Sequence, residues 1–129
     1  MFVDKKLTLS DSQALTVTVL SENIIDLGAA KNVATGKALY SITIIDVACA
    51  TSVSIDFQLW THSTTTVSSG TMMCSTGPIV AASLTANRAP IVLAVSDALR
   101  TAKQYLGMYY VVVTTGTCTV TTFIGFDAP

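Results

Sequence analysis

The 129-residue sequence is short of charge. Asp, Glu, Lys and Arg together make up 12% of it, about half the share found in an ordinary soluble domain. Seven basic against eight acidic residues leave a net charge of −1. No basic patch is available to attract nucleic acid or an anionic membrane surface, so partners of those two kinds are not expected. There is one histidine and one tryptophan. Any Ser-His-Asp or Cys-His catalytic arrangement has to be built on His62. Three cysteines, Cys49, Cys74 and Cys118, stand far apart with no CxxC pair. That spacing argues against a zinc site, and the odd count argues against a disulfide scaffold. The expectation is three reduced thiols, mostly buried in strands, in a reducing compartment, with no metal and no cofactor. Long apolar runs are missing too. Ile79–Ala82, Ile91–Val95 and Met108–Val113 are each cut off by polar residues, far short of the ~20 apolar residues of a spanning helix. Behind the basic pair in MFVDKKLTLSDSQ no apolar region follows, so no signal peptide is expected.

What is present is hydrophobic content of 50% and abundant Thr and Ser in place of charge. A neutral hydroxyl surface costs less to desolvate than a charged one. It suits a protein packed against neighbours, and equally a soluble β-protein with a quiet exterior. The length suits one domain with a substantial core. Val53, Ile55, Phe57 and Leu59 alternate with Ser54, Asp56, Gln58 and Trp60, the period of two that marks a half-buried strand. Tyr40, Ile42 and Ile44 alternate with Ser41 and Thr43 just before, so Val47–Thr51 is predicted to turn between neighbouring strands. Further strands are expected over Pro78–Thr85, Ala89–Val95, Tyr105–Thr115 and Thr117–Phe126, with Thr115-Gly116-Thr117 as a tight turn between the last two. Ser96-Asp97 could cap one short helix over Ala98–Gln104. Gly28–Gly36 and His62–Gly70 read as polar loops. About eight short strands separated by turn clusters predict an all-β, single-domain, jelly-roll-like β-sandwich with at most one short helix.

Few residues suggest chemistry. His62 stands beside a Thr/Ser loop without a GxSxG or other nucleophile signature, and reads as an exposed loop histidine. The loop from Gly28 to Ala38 departs twice from a phosphate-binding pattern, at Lys31 and at Ala38. Asp46 and Asp56 flank the expected hairpin and could face each other, but no aromatic or basic residues gather around them in the sequence. Trp60 alternates away from Phe57 and Leu59. It is either an interface anchor or part of an outer face covered by a loop or arm. Phe2 and Phe126 pose the same question at the two ends of the chain.

The stretch SDSQALTVTVLSENIIDLG, residues 10–28, is the most distinctive. Ser10-x-x-Gln13 has the form of a helix capping box, yet β-branched Thr16–Val19 follow at once. Asp11-Ser12-Gln13-Ala14-Leu15-Thr16, then Ser21-Glu22-Asn23-Ile24-Ile25-Asp26-Leu27-Gly28, resembles the N-terminal signature of a family of tailed-phage capsid cement proteins. Ala38-Leu39-Tyr40 and Tyr105–Tyr110 are similar to that family's later strands, with Gln104 and Gly107 where it carries basic residues. The resemblance implies a jelly-roll-like sandwich without enzymatic activity, made in the host cytoplasm and carried on the outer capsid surface of the virion. There it would bridge neighbouring copies of the phage major capsid protein, as a homo-oligomer with dimer the first expectation and trimer the second. On that view Ser10, Asp11 and Gln13 satisfy backbone groups at a bend, and Thr16–Val19 and Ile24–Leu27 form short strands. Residues 1–12 are then an N-terminal arm or a first edge strand. The candidate partner-binding residues are Phe2, Asp4, Lys5, Asp11, Gln13, Trp60 and Phe126. The alternative function is a β-sandwich binding module for glycan or protein. A small hydrolase or isomerase, pairing His62 or Cys74 with an acid, is the third.

Overall fold

Eleven strands are seen in the computed structural model, which describes residues 7–29, 31–32, 39–49, 54–95, 101–102, 104–113 and 117–125. In chain order they are β1 (Thr8–Ala14), β2 (Val19–Leu20), β3 (Ile25–Asp26), β4 (Lys31–Asn32), β5 (Leu39–Val47), β6 (Ser54–His62), β7 (Thr71–Val80), β8 (Ile91–Val95), β9 (Thr101–Ala102), β10 (Tyr105–Val113) and β11 (Thr119–Gly125). One sheet has the order β1-β11-β5-β8. The other runs β2-β10-β6-β7, with β3 also on β10. All pairings are antiparallel. Taking β2 and β3 as one interrupted strand, this is an eight-stranded jelly roll, the fold expected from the sequence.

The sandwich forms because two sets of alternating side chains meet. In β6, Ile55, Phe57, Leu59 and Thr61 are buried while Ser54, Asp56, Gln58, Trp60 and His62 stay half-exposed. Leu106, Met108 and Tyr110 do the same in β10, and Phe57 meets Tyr110 edge to face at 5.9 Å. β5 alternates as well, but the face it sends inward is Leu39, Ser41, Thr43 and Ile45. Leu39 and Ile45 join the core. Ser41 donates to Met108 Sδ at 3.2 Å, and Thr43 Oγ1 lies 3.0 Å from Thr122 Oγ1. The buried hydroxyls are therefore satisfied. Ile42 and Phe123, paired across β5 and β11, are buried on the opposite side of that sheet.

Several expectations are corrected. Val47–Thr51 does not join neighbouring strands, because β5 and β6 lie in different sheets. The same holds for β10 and β11, so no hairpin turn connects them. Asp46 and Asp56 consequently do not face each other. Asp46 accepts from Thr121 of β11, and Asp56 accepts from Ser75 of β7. The strand expected from Pro78 begins earlier, at Thr71, and gives way to a 3-10 turn over Ala81–Ser83. Thr101–Ala102, expected in a helix, pair as a strand with Lys31–Asn32. The rest of the expected helix lies outside the described residues, apart from Gln104. Most plainly, the cysteines are not all reduced: Cys49 and Cys118 form a disulfide, Cα–Cα 4.2 Å. Cys49 follows β5 and Cys118 precedes β11. The pairing of those two strands juxtaposes residues 69 positions apart, which their spacing in the sequence cannot reveal.

Candidate interaction surface

Residues 11–28 build a corner where the chain passes from one sheet to the other. Ser12 takes a positive φ of 49° at a break in the register of β1 on β11. Ser10 and Gln13 do not cap a helix; Ser10 Oγ donates to Gln13 Oε1 at 2.6 Å. Gln13 then spans the corner, with Nε2 donating to the Leu20 carbonyl at 2.9 Å and Oε1 accepting the Glu22 amide at 2.9 Å. Glu22 Oε1 in turn accepts the Asp11 amide at 2.6 Å. Ser21 continues the ladder, its amide donating to the Met108 carbonyl at 2.7 Å. Asp26 Oδ1 accepts the Gly28 amide at 2.8 Å, and Gly28 adopts φ 81°, a conformation that glycine enters without strain. The signature is thus a set of residue types chosen by one turn after another.

Of the candidate site residues, Asp11 is exposed and Gln13 half-buried at this corner. Trp60 is more than 30 positions away in sequence, half-buried on the outer face of the β10-β6-β7 sheet. Phe2, Asp4, Lys5 and Phe126 lie outside the described residues, as do residues 1–6 of the segment read as an arm. From Thr8 on, the segment belongs to β1, an edge strand on β11.

Around Trp60 the outer face carries a chain of side-chain bonds. Trp60 Nε1 donates to Gln58 Oε1 at 2.8 Å, and Gln58 Nε2 donates to Asp56 Oδ2 at 2.7 Å. Ser75 Oγ donates to Asp56 Oδ1 at 2.6 Å. The Tyr109 ring meets Trp60 edge to face at 5.9 Å, and Met72, opposite Trp60 in β7, is exposed. At the Tyr105 end this face is covered. Val67, in a 3-10 turn over Val67–Ser69, is fully buried. A Cβ on Gly107 would come within 2.7 Å of Val67 Cγ2 and Ile24 Cδ1. The loop over residues 63–70, read as polar, therefore packs an apolar side chain where a larger residue at 107 would sit.

The opposite end of this face finishes in an aliphatic row. Val113, Ser54 and Val80 form one row across β10, β6 and β7. Val47 ends β5, and Thr18 Oγ1, next to Val17 in the chain, accepts the Val112 amide at 3.0 Å. Val17, Val47, Val80 and Val113 are 57%, 56%, 59% and 53% exposed. Sequence reasoning missed this set. Each valine sits in a run that reads as ordinary strand, and only cross-strand register puts Val80 and Val113 in one row.

Groups suited to chemistry are scattered. His62 Nδ1 accepts the Thr64 amide at 2.9 Å. Burial pushes the Cys74 thiol up to about 11, so it is protonated at neutral pH and a poor nucleophile. Among the described residues, no group of three His, Cys, Asp or Glu is placed to hold a metal ion. No described helix is long and apolar enough to cross a membrane.

The family model named Bbp16 matches residues 9–126. The chain belongs to the Bbp16 family. The Bbp16 match takes in both sheets, the corner and the disulfide, from Leu9 in β1 to the residue after β11. No curated protein matches the chain.

Proposed function

We propose that the protein is a structural virion component that binds the outside of a tailed-phage capsid and cements neighbouring major capsid subunits. The observation that carries this reading is the aliphatic row at the end of the β10-β6-β7 sheet, where Val80 and Val113 are each more than half exposed on a protein with few charges to repel a neighbour. Apolar side chains left in water at strand ends mark a surface that gains by being covered. The likeness of residues 11–28 to the cement-protein signature supports a capsid subunit as that neighbour. The mechanism is mechanical. A protein that binds assembled subunits better than free ones stabilises the shell by mass action, and repeated contacts over the shell add avidity. A homo-oligomer, dimer before trimer, would match the symmetry axes at which several subunits meet.

A second reading, glycan recognition, draws on the Trp60–Tyr109 pair and the adjacent Gln58 amide. Co-sedimentation with mature phage heads stripped of the protein, against unassembled capsid subunits, separates the two. Saturable binding to heads alone, with greater resistance of the heads to heat, supports the cement reading. Binding to neither overturns it.

A further inference from the structure

The outer face of the β10-β6-β7 sheet combines three features. Its far row is aliphatic, with Val113 and Val80 flanking Ser54. One row inward stands Asp56, between Val111 and Pro78. Among the residues of these three strands, Asp56 is the one acidic side chain, and no Lys or Arg accompanies it. Its carboxylate is also held in place, by Gln58 Nε2 on one oxygen and Ser75 Oγ on the other. Gln58 is itself fixed by Trp60 Nε1.

A carboxylate can accept about four hydrogen bonds, and two are used. Each oxygen therefore keeps capacity on the solvent side. The side chain is ordered before any partner arrives, which lowers the entropy cost of binding to it. Covering the valines would remove water from Asp56 as well, and a buried anion without a counter-charge is strongly unfavourable. An apolar partner alone would then be rejected. A partner that brings a cation to Asp56 gains both terms. The opposite sheet also exposes aliphatic side chains, Ile44 and Val92, but at 38% and 36% they offer less than Val80 and Val113 at 59% and 53%. A sugar is a poorer fit than a protein: Trp60 Nε1 is already engaged, the Tyr109 ring abuts the indole, and branched aliphatic side chains give no flat platform.

We propose that this face is the docking surface, and that it receives a protein segment presenting an Arg or Lys to Asp56 between aliphatic contacts to Val80 and Val113. The surface chemistry stands by itself; naming the partner as a capsid subunit rests on the reading above.

Two measurements test it. The first compares binding to stripped heads of the wild type, Asp56→Asn, the double variant Val80→Glu/Val113→Glu, and Ile44→Glu on the opposite sheet, each checked for an unchanged thermal midpoint. Asp56→Asn keeps the shape and acceptor of the side chain and loses the charge. It is expected to weaken binding roughly tenfold or more and to flatten its salt dependence. The double valine variant should also bind weakly, and Ile44→Glu like the wild type. Wild-type affinity in both face variants overturns the proposal while leaving the cement reading intact. The second measurement needs no capsid. Trp60 is the sole tryptophan, so its fluorescence reports on this face during titration with a peptide of alternating Val and Arg. A saturable response abolished in Asp56→Asn supports the proposal even if heads are not bound. A response to neutral oligosaccharides instead, unchanged in Asp56→Asn, overturns it in favour of glycan recognition. Response to neither probe together with no binding to heads also overturns it.

Discussion

Ser10 and Tyr110 are 100 positions apart, yet Ser10 Oγ lies 2.8 Å from Tyr110 Oη inside the sandwich. Tyr110 Oη also lies 2.9 Å from Thr122 Oγ1, and Thr122 touches Thr43. Four hydroxyls from β1, β10, β11 and β5 thus form one buried network, which Gln13 extends to the corner at Leu20 and Glu22. Each sheet contributes at least one member. The network therefore ties the sheets together through directional bonds as well as through apolar contact, and it fixes where β1 sits.

Tyr110→Phe should remove these bonds while keeping the ring against Phe57. Ser10 retains Gln13 and Thr122 retains Thr43, so no partner is wholly orphaned. The expected loss is about 1 kcal/mol, read as a lower urea midpoint with an unchanged slope.

Stability should fall on the alkaline side. Burial pushes the Tyr110 phenol up to about 12 from an ordinary value of 10, and the Cys74 thiol to about 11 from 9. Above pH 9 the unfolded chain releases protons that the folded protein still holds, so the unfolded state gains with rising pH. The loss begins near pH 9 through Cys74. It continues from pH 10 to 12 through Tyr110, whose share is on the order of 2 kcal/mol. Denaturant titrations across this range check the slope, and Cys74→Ala should delay its onset.

Reducing the Cys49–Cys118 disulfide should destabilise the fold without unmaking it. The bond closes a loop across 69 positions, and a disulfide typically contributes about 2–4 kcal/mol. A fall of roughly 10 °C in the thermal midpoint is expected for a domain of this length. Calorimetry with and without reductant measures it, and the double variant Cys49→Ala/Cys118→Ala should be insensitive to reductant.

Gly70→Ala should be among the most damaging single changes. A Cβ there would lie 2.1 Å from the Thr61 carbonyl oxygen, a backbone atom that cannot yield without disturbing β6. The expected cost is about 3 kcal/mol or more. Hydrogen exchange should show the Val67 turn opening first, since Gly70 donates to the Val67 carbonyl at 3.0 Å.

Some of this was legible in the residues. The alternation of Ile55, Phe57 and Leu59 with Asp56, Gln58 and Trp60 fixed both faces of β6, because strand side chains must alternate. The polar cluster in residues 10–28 announced a bend, because Ser, Gln and Asp satisfy backbone groups locally. The strand count was sufficient for a jelly roll. The candidate surface was half legible: Trp60, Gln58 and Asp56 fall on one outward face of a single strand, but Ser75, Tyr109 and the valines around them come from others.

The sequence by itself determined what depends on near neighbours: strand periodicity, turn residues, the scarcity of charge. Tertiary structure alone decided which strands are partners. That choice placed Cys49 against Cys118, turned Ser41 and Thr43 inward to meet Met108 and Thr122, and sent β5 and β6 into different sheets. The physical reason is that pairing is won by the summed burial of whole faces and the satisfaction of every enclosed hydroxyl. These are properties of the closed sandwich, and no short stretch of chain carries them.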